Sequence, residues 1–290
     1  MWYNIVKKGG RNMAKKRRKK KKQPSRALVL WLTVLAAILF TALLGLILYS
    51  CVARQDADVP AVDATEMTEE LAPLNERDPE DFRFEDGFLR YPGAETGIDV
   101  STHQGLIDWE QVRDAGITFA IIRAGYRGST EGRLYEDELF WDNLNGAKAA
   151  GLKVGVYFFS QAISVEEAAE EAEYVLNLLN GEPLELPVYY DWEQIAGTSR
   201  INYPGTLPLT ECSVAFCEAV REQGYTPGVY FNREYGYAYL DFVRLRNYAL
   251  WLAEYGDNPT FRYRYDCLQY TDAGRIPGIE TTVDMDLIFQ

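Results

Sequence analysis

Two acidic residues at the end of an apolar segment are the most reactive pair that the sequence offers. Asp191 and Glu193 lie two positions apart in PVYYDWE. Residues i and i+2 of a strand project from one face, so the two carboxyl groups are expected to be neighbours. Repulsion between them raises one pKa and leaves an acid able to protonate a leaving oxygen. Glycosidic bond hydrolysis needs such a group. In an arbitrary chain a D-x-E pair more often marks a solvated edge strand, but the apolar and aromatic residues before Asp191 favour a buried one.

Two further acids lie near predicted strand ends, Asp99 in GIDVSTHQG and Asp284 in VDMDLIF. Charges in a barrel mouth are costly unless they are paired or used. The chain has a single histidine, His103, which excludes any metal site or mechanism that needs two. A Ser-His-Asp triad would have to use His103, and no G-x-S-x-G motif supports one. The carboxylates are therefore the candidate catalytic groups.

Aromatic residues recur where the predicted strands end. They are Tyr126, Tyr157, Trp192, Trp251, Tyr255 and Tyr270. About half of them are expected to be ordinary core residues. Rings at the mouth of a barrel also stack against the faces of sugars, so the remainder are candidates for lining a carbohydrate cleft.

The elements that must position these groups alternate between strands and helices after residue 95. Strands are predicted over 97–101, 119–126, 154–160, 187–193, 228–232, 249–255, 267–271 and 284–289. Helices are predicted over 109–115, 138–150, 165–179, 211–223 and, more weakly, 234–246. Eight strands with about five helices predict a closed α/β barrel that is irregular at its end. A doubly wound open sheet is the alternative, but no G-x-G-x-x-G or Walker motif indicates a nucleotide site.

The N-terminal quarter of the chain has a different composition. The net charge of −13 divides into twelve bases and no acids over residues 1–26 and a net −25 over the rest. Residues 27–53 carry no charge and would extend about 40 Å as a helix, enough to cross a bilayer. The basic flank predicts a single-pass membrane protein with residues 1–26 in the cytoplasm and the body outside. Residues 54–94 are predicted to be an acidic linker, and the aromatic residues of its last part, FRFEDGFLRYPG, leave open that this part packs onto the body.

Other interpretations of this region remain open. Residues 27–53 could be a cleaved signal peptide, although such apolar segments are usually shorter. The run ending at Cys51 resembles a loose lipobox. The basic flank could bind nucleic acid, but topology and anionic lipid explain it better, so we expect membrane lipid and no nucleic acid as partners.

Four cysteines are too few for a disulfide scaffold in a chain of this length. Cys212 and Cys217 are five residues apart on one predicted helix and point in different directions. We expect them and Cys267 to be free and buried.

Seven ordered motifs give the body a specific resemblance. They are GIDVSTHQGLIDWEQVRDAGITFAIIRAGY, AKAAGLKVGVYFFSQA, PVYYDWE, GVYFN, WLAEY, LQYT and VDMD. Together they resemble glycoside hydrolase family 25, the Chalaropsis-type lysozymes, over about 97–290. The resemblance implies five β/α units followed by three strands over 95–290. It also implies hydrolysis of the β-1,4 bond between N-acetylmuramic acid and N-acetylglucosamine in peptidoglycan, without metal or other cofactor.

The resemblance also implies roles for individual residues. Glu193 would be the general acid, and Asp191 would assist the substrate's N-acetyl group as internal nucleophile. Asp99 and Asp284 would complete the catalytic network. The residues expected to line the substrate are Tyr157, Tyr126, Trp251, Tyr255, Gln269, Tyr270 and His103. One departure is Asp286, which stands where the family usually has Asn. Two other functions remain open: a non-catalytic wall-binding module on the same fold, and an enzyme for another glycan.

Overall fold

The computed structural model describes residues 71–195, 197, 200, 205 and 207–289. In chain order its strands are β1 Arg83–Glu85, β2 Phe88–Arg90, β3 Glu95–Val100, β4 Phe119–Arg127, β5 Leu134–Glu136, β6 Lys153–Ser160, β7 Val188–Trp192, β8 Pro227–Asn232, β9 Ala249–Ala253, β10 Cys267–Gly274 and β11 Val283–Ile288. The helices are α1 Trp109–Asp114, α2 Phe140–Ala149, α3 Val165–Leu179, α4 Leu209–Glu222, α5 Arg233–Tyr239 and α6 Phe242–Leu245. Single 3-10 turns cover Pro79–Asp81 and Thr102–Gln104.

Eight of these strands close into a barrel, and they are the eight that the sequence predicts. The order around the sheet is β3-β11-β10-β9-β8-β7-β6-β4, and β3 also pairs with β4. That last pairing, from Gly97 opposite Phe119 to Val100 opposite Ile122, closes the sheet and excludes the open alternative. All neighbours in the barrel are parallel except β11, which runs antiparallel to both β10 and β3.

The barrel separates two apolar cores. The larger lies between the strands and the surrounding helices, and the smaller fills the interior with Phe119, Ile121, Tyr157, Tyr189 and Trp251. Large rings inside a small barrel leave little space for the backbone opposite. At Gly97, a β-carbon would meet the Phe119 ring at 2.3 Å, so the interior requires glycine there.

The weaker predicted helix, 234–246, is two short helices. Leu240 has an extended backbone (φ −109°, ψ 135°), which ends α5. The Asp241 side chain then accepts hydrogen bonds from the amides of Val243 and Arg244 and begins α6. The Asp241 side chain bonds to backbone amides that follow it, and this arrangement replaces a continuous helix with two short ones.

The three cysteines that the structure describes, Cys212, Cys217 and Cys267, are free and buried, as predicted. Burial raises the pKa of each thiol. They therefore behave as small apolar side chains.

Residues 71–94 differ from the acidic linker predicted over 54–94. Asp86 and Gly87 both have positive φ and join β1 to β2 in a tight hairpin. Phe82 and Leu89 are buried in the same core as the barrel strands. The Arg77 guanidinium lies 3.7 Å from the centre of the Phe289 ring. The aromatic residues in this segment therefore bury it against the barrel, and a spacer can extend only over earlier residues.

The predicted membrane segment, 27–53, lies outside the described residues. Within the described part of the chain, every helix is too short or too polar to cross a bilayer.

A buried ion cluster joins β4 to α3 beside the barrel. Arg127 Nε donates to Glu171 Oε1 at 2.7 Å, and both side chains are almost fully buried. Burial is the main cause that raises the pKa of Glu171 to about 7, and the charge of Arg127 opposes it.

Replacing Arg127 with Met is therefore expected to lower the free energy of unfolding by about 3–5 kcal/mol, since it leaves the Glu171 carboxyl buried without its cation. Urea unfolding measures the loss. The matched control is Arg113→Met, whose partner Asp114 is exposed; that change should cost less than about 1 kcal/mol. Equal losses in the two variants would contradict the prediction.

Candidate active site

Four carboxyl groups meet in a cleft at the carboxyl end of the parallel strands. The cleft has a volume of about 400 Å³. Asp99 from β3, Asp191 from β7, Glu193 just after β7 and Asp284 from β11 all line it. Strand pairing accounts for their meeting, because Asp284 stands directly opposite Asp99 across the β11–β3 ladder. The structure thus brings together all four acids that the sequence singled out.

Glu193 has the properties of a general acid that works near neutral pH. Burial, followed by the nearby charge of Asp284, raises its pKa to about 7. Its side chain is not fully enclosed, so it can reach a bound molecule. Proton donors are most effective when their pKa lies near the working pH.

Asp191 lies deeper than Glu193 and is 4% exposed. Burial is the main cause that raises its pKa well above the ordinary value, and the charge of Glu193 adds to this shift while Arg123 opposes it. Its Oδ1 atom is buried and has no hydrogen-bond partner among the described residues. A buried acceptor without a donor is unfavourable, and the Asp191 carboxyl group lines the cleft, where a bound ligand can offer it a hydrogen bond.

Asp99 is held in place by Gln269. The Gln269 Nε2 atom donates to Asp99 Oδ2 at 2.7 Å. The other end of the amide, Oε1, accepts from the hydroxyl groups of Tyr230 at 3.1 Å and Tyr255 at 3.0 Å. These two donors fix the orientation of the amide, so its NH₂ group faces the carboxylate. Gln269 therefore positions an acid of the cleft as well as lining it.

Asp284 and Asp286 project from one face of β11 but have different surroundings. Asp284 lines the cleft, and burial together with the charge of Asp272 raises its pKa to about 6. Asp286 is fully buried inside the barrel and accepts a hydrogen bond from Trp251 Nε1 at 2.9 Å. Burial raises the pKa of Asp286 well above its ordinary value. The residue that departs from the family motif is thus an interior carboxyl group, outside the lining of the cleft.

The predicted aromatic residues are divided between three places. Tyr157, Trp251 and Tyr255 line the cleft, as do Gln269 and His103. Tyr126 lies in an adjoining hollow of about 370 Å³, which also contains His103 and Arg123, and stacks on Tyr135.

Tyr270 does not line the cleft. It follows Gln269 on β10, and adjacent residues of a strand face opposite sides. Gln269 faces the barrel interior, so Tyr270 lies in the outer core, 2% exposed. The phase of β10 therefore places Tyr270 outside the cleft, beside an adjoining groove, and its role as a substrate-lining residue stays a prediction.

Arg123 is the most informative residue that the sequence analysis missed. It lines the cleft from β4 and forms a buried ion pair with Asp137 at 2.8 Å. The Asp137 carboxylate also accepts hydrogen bonds from the backbone amides of Thr102 and Leu139. A lone Arg in the apolar run FAIIRAGY was a signal that could have found it. Further lining residues without a sequence prediction are Ser101, Gln104, Phe159, Ile195 and Tyr230.

In the described part of the chain, no group of three or more His, Cys, Asp or Glu side chains is arranged to hold a metal ion.

Comparison with known proteins places this arrangement in a family. The model of Glycosyl hydrolases family 25 matches residues 98–279. The autolytic lysozyme of Clostridium acetobutylicum is 31% identical over 193 residues, which are 66% of this chain and 54% of that protein. The chain thus spans about half the length of this curated relative.

Solved structures give the same fold. The modular autolysin LytC of Streptococcus pneumoniae, in complex with a synthetic peptidoglycan ligand, aligns with a TM-score of 0.60 and 23% identity over 72% of this chain and 52% of that one. A family 25 glycosyl hydrolase from Bacillus anthracis aligns with a TM-score of 0.56 and 22% identity over 68% of this chain and 89% of that one. With a closed barrel, a cleft of four acids and a family match across most of the body, the chain belongs to glycosyl hydrolases family 25.

Proposed function

We propose that the protein is a peptidoglycan hydrolase that cleaves the β-1,4 bond between N-acetylmuramic acid and N-acetylglucosamine. The observation that carries the proposal is the pair Glu193 and Asp191 in one cleft, the first with a pKa of about 7 and the second with a buried acceptor atom lacking a partner. The autolytic lysozyme relative and the peptidoglycan ligand of LytC support this class of substrate.

In the proposed reaction Glu193 gives its proton to the glycosidic oxygen as the bond to the anomeric carbon breaks. The carbonyl oxygen of the substrate's own N-acetyl group forms a bond to that carbon, which gives a cyclic intermediate and a leaving sugar with a free hydroxyl. The carboxyl group of Asp191 accepts a hydrogen bond from the N–H of the same acetamido group and orients it. Glu193, now ionised, removes a proton from water, which attacks the anomeric carbon and opens the ring. Asp99, held by Gln269, and Asp284 complete the polar surroundings of the reacting groups.

Product analysis tests the proposal. The full-length protein is incubated with purified peptidoglycan, and the soluble fragments are reduced and examined by mass spectrometry. We expect new reducing ends on N-acetylmuramic acid. New reducing ends on N-acetylglucosamine would show that the protein cleaves the other glycosidic bond of the strand, and would contradict the proposal. Binding to peptidoglycan without any cleavage would favour the non-catalytic wall-binding module.

We also propose that residues 27–53 hold the protein in the cell membrane, with residues 1–26 in the cytoplasm and the barrel outside. Its support is the uncharged segment and the twelve bases before it. Protease added to intact cells should remove the barrel and leave an N-terminal fragment in the membrane fraction. Recovery of the barrel in the culture medium, starting beyond Cys51, would instead indicate cleavage.

The charge of the body predicts how a soluble fragment binds walls. Residues 27–290 carry a net −25, of which residues 71–290 account for −20, so an anionic wall repels either segment. A fragment of residues 71–290 should bind isolated walls weakly in about 0.01 M salt and more strongly in about 0.15 M salt, since screening shortens the repulsion. Co-sedimentation with walls measures the bound fraction. Neutral glycan chains are the control and should show little salt dependence; stronger wall binding at low salt would contradict the prediction.

A further inference from the structure

A second groove lies beside the catalytic cleft, and the N-terminal hairpin forms one of its sides. Its volume is about 600 Å³, within the range of ligand-binding sites. The hairpin contributes Phe84 and Gly87, and the loop after β9 contributes Tyr255. The far part of β10 and the following residues contribute Thr271, Asp272 and Arg275.

The hairpin formed by β1 and β2 precedes residues 98–279, which the family model matches. It is nevertheless firmly attached to the barrel. Leu89 is fully buried, and the Arg90 guanidinium donates to Thr96 Oγ1 at 2.6 Å. Phe84, by contrast, leaves 62% of its surface exposed within the groove. A rigid hairpin that presents an exposed ring is suited to binding a ligand.

Tyr255 makes the groove continuous with the cleft, since it lines both. Its hydroxyl donates to Gln269, which holds Asp99, while the residue is 54% exposed. Asp272 of the groove lies close enough to Asp284 of the cleft to raise the pKa of that acid. A chain that occupies the cleft can therefore extend past Tyr255 into the groove.

The lining indicates the chemistry of the occupant. Two exposed rings, Phe84 and Tyr255, provide flat apolar surfaces, and the charged side chains Asp257, Asp272 and Arg275 are two acids and one base, a net charge of only −1. Uncharged amino sugars have the matching properties, with apolar ring faces and polar edges. A strongly charged ligand would find little net attraction here.

We propose that this groove binds further sugar units of the glycan strand that is cleaved in the adjoining cleft, with Phe84 as the stacking residue. The inference rests on the proposed function, because it takes its ligand from the same polymer. It makes the N-terminal hairpin a determinant of chain-length preference.

The test uses the full-length protein and N-acetylated glycan chains of defined length, prepared both without and with their stem peptides. Binding is measured by calorimetry, and cleavage is measured as kcat/KM. The variants are Phe84→Ala, Phe84→Tyr, which keeps a ring, and Trp141→Ala, which removes an exposed ring from α2 away from the groove. Phe84→Ala should weaken binding and cleavage of long chains by about two- to tenfold, the factor expected for losing one stacking contact. Short chains that fill only the cleft should be unaffected.

Recovery with Phe84→Tyr and an unchanged Trp141→Ala would support the proposal. Equal effects of Phe84→Ala on long and short chains would overturn it. An effect seen only with chains that retain their stem peptides would also overturn it and would assign the groove to the peptide. If the wild-type protein cleaves neither long nor short chains, the proposed function fails. The binding data still test the groove in that case. Long chains that bind more tightly than short ones, with the difference lost in Phe84→Ala, would support the groove as a glycan-binding site.

Discussion

Replacing Glu193 with Gln is expected to lower peptidoglycan hydrolysis by about 10²–10⁴-fold, the contribution of a positioned proton donor. Gln has nearly the same size and keeps a polar group, but it has no proton to give at neutral pH. In the wild-type protein, activity should fall as the pH rises through about 7, where Glu193 loses its proton. The Glu193→Gln variant should lose that dependence together with most of its rate.

Release of reducing ends from purified peptidoglycan measures the effect, and thermal unfolding shows whether the variant remains folded. The matched control is Glu222→Gln, the same change at an exposed position at the end of α4; it should leave the rate unchanged. Asp191→Asn tests the other half of the pair and should retain the pH dependence set by Glu193 while lowering the rate. Full activity of the Glu193→Gln variant would show that Glu193 is not the general acid.

The second large effect concerns stability. Asp99, Asp191 and Asp286 are buried, and each has a folded-state pKa well above 3.8. The folded protein therefore holds protons that the unfolded chain has released. The contribution of these groups to the free energy of unfolding is greatest below pH 3.8, and it is lost as the pH rises toward their pKa values in the folded protein. Each such group contributes a slope of about 1.4 kcal/mol for each pH unit within that interval.

Asp286→Asn is expected to remove one of these slopes and to make the protein more stable at pH 7. The Asn carbonyl can still accept from Trp251 Nε1, and the amide never ionises. Urea unfolding at several pH values between 4 and 8 measures the change. Asp284→Asn is the matched control, because the pKa of Asp284 is about 6 and its contribution should end near that pH. A less stable Asp286→Asn protein with an unchanged slope would show that Asp286 is ionised in the fold.

Periodic features of the sequence predicted the barrel and the four acids well. Apolar strands alternating with helices define β/α units, and acids at strand ends meet because parallel strands end at one edge. The same reasoning also predicted that Tyr270, the residue after Gln269 on β10, lines the cleft, whereas its side chain lies in the outer core. Whether Gln269 or Tyr270 faces inward depends on the phase of the strand, which a motif such as LQYT does not state.

Features that depend on long-range contacts were not predictable. The aromatic residues of FRFEDGFLRYPG indicated contact with the body, but only the folded barrel shows that Phe82 and Leu89 enter its outer core. The family motif drew attention to Asp286, but only the closed barrel shows that it lies in the interior. Arg123 appeared as an anomaly in an apolar strand, yet its partner Asp137 is 14 residues away and on no predicted element.

The attachment of residues 71–77 also has a mechanical consequence. Leu74 forms a bridge to Tyr263, just before β10, while Arg77 lies over Phe289, just after β11. Because β11 runs antiparallel to β10, both contacts lie at the barrel end opposite the cleft. Tension arriving from the N-terminal side is borne first by this attachment and by the two backbone hydrogen bonds beside Leu74. A force applied to the chain at residue 71 would therefore enter the barrel at the end opposite the cleft, far from Asp191 and Glu193.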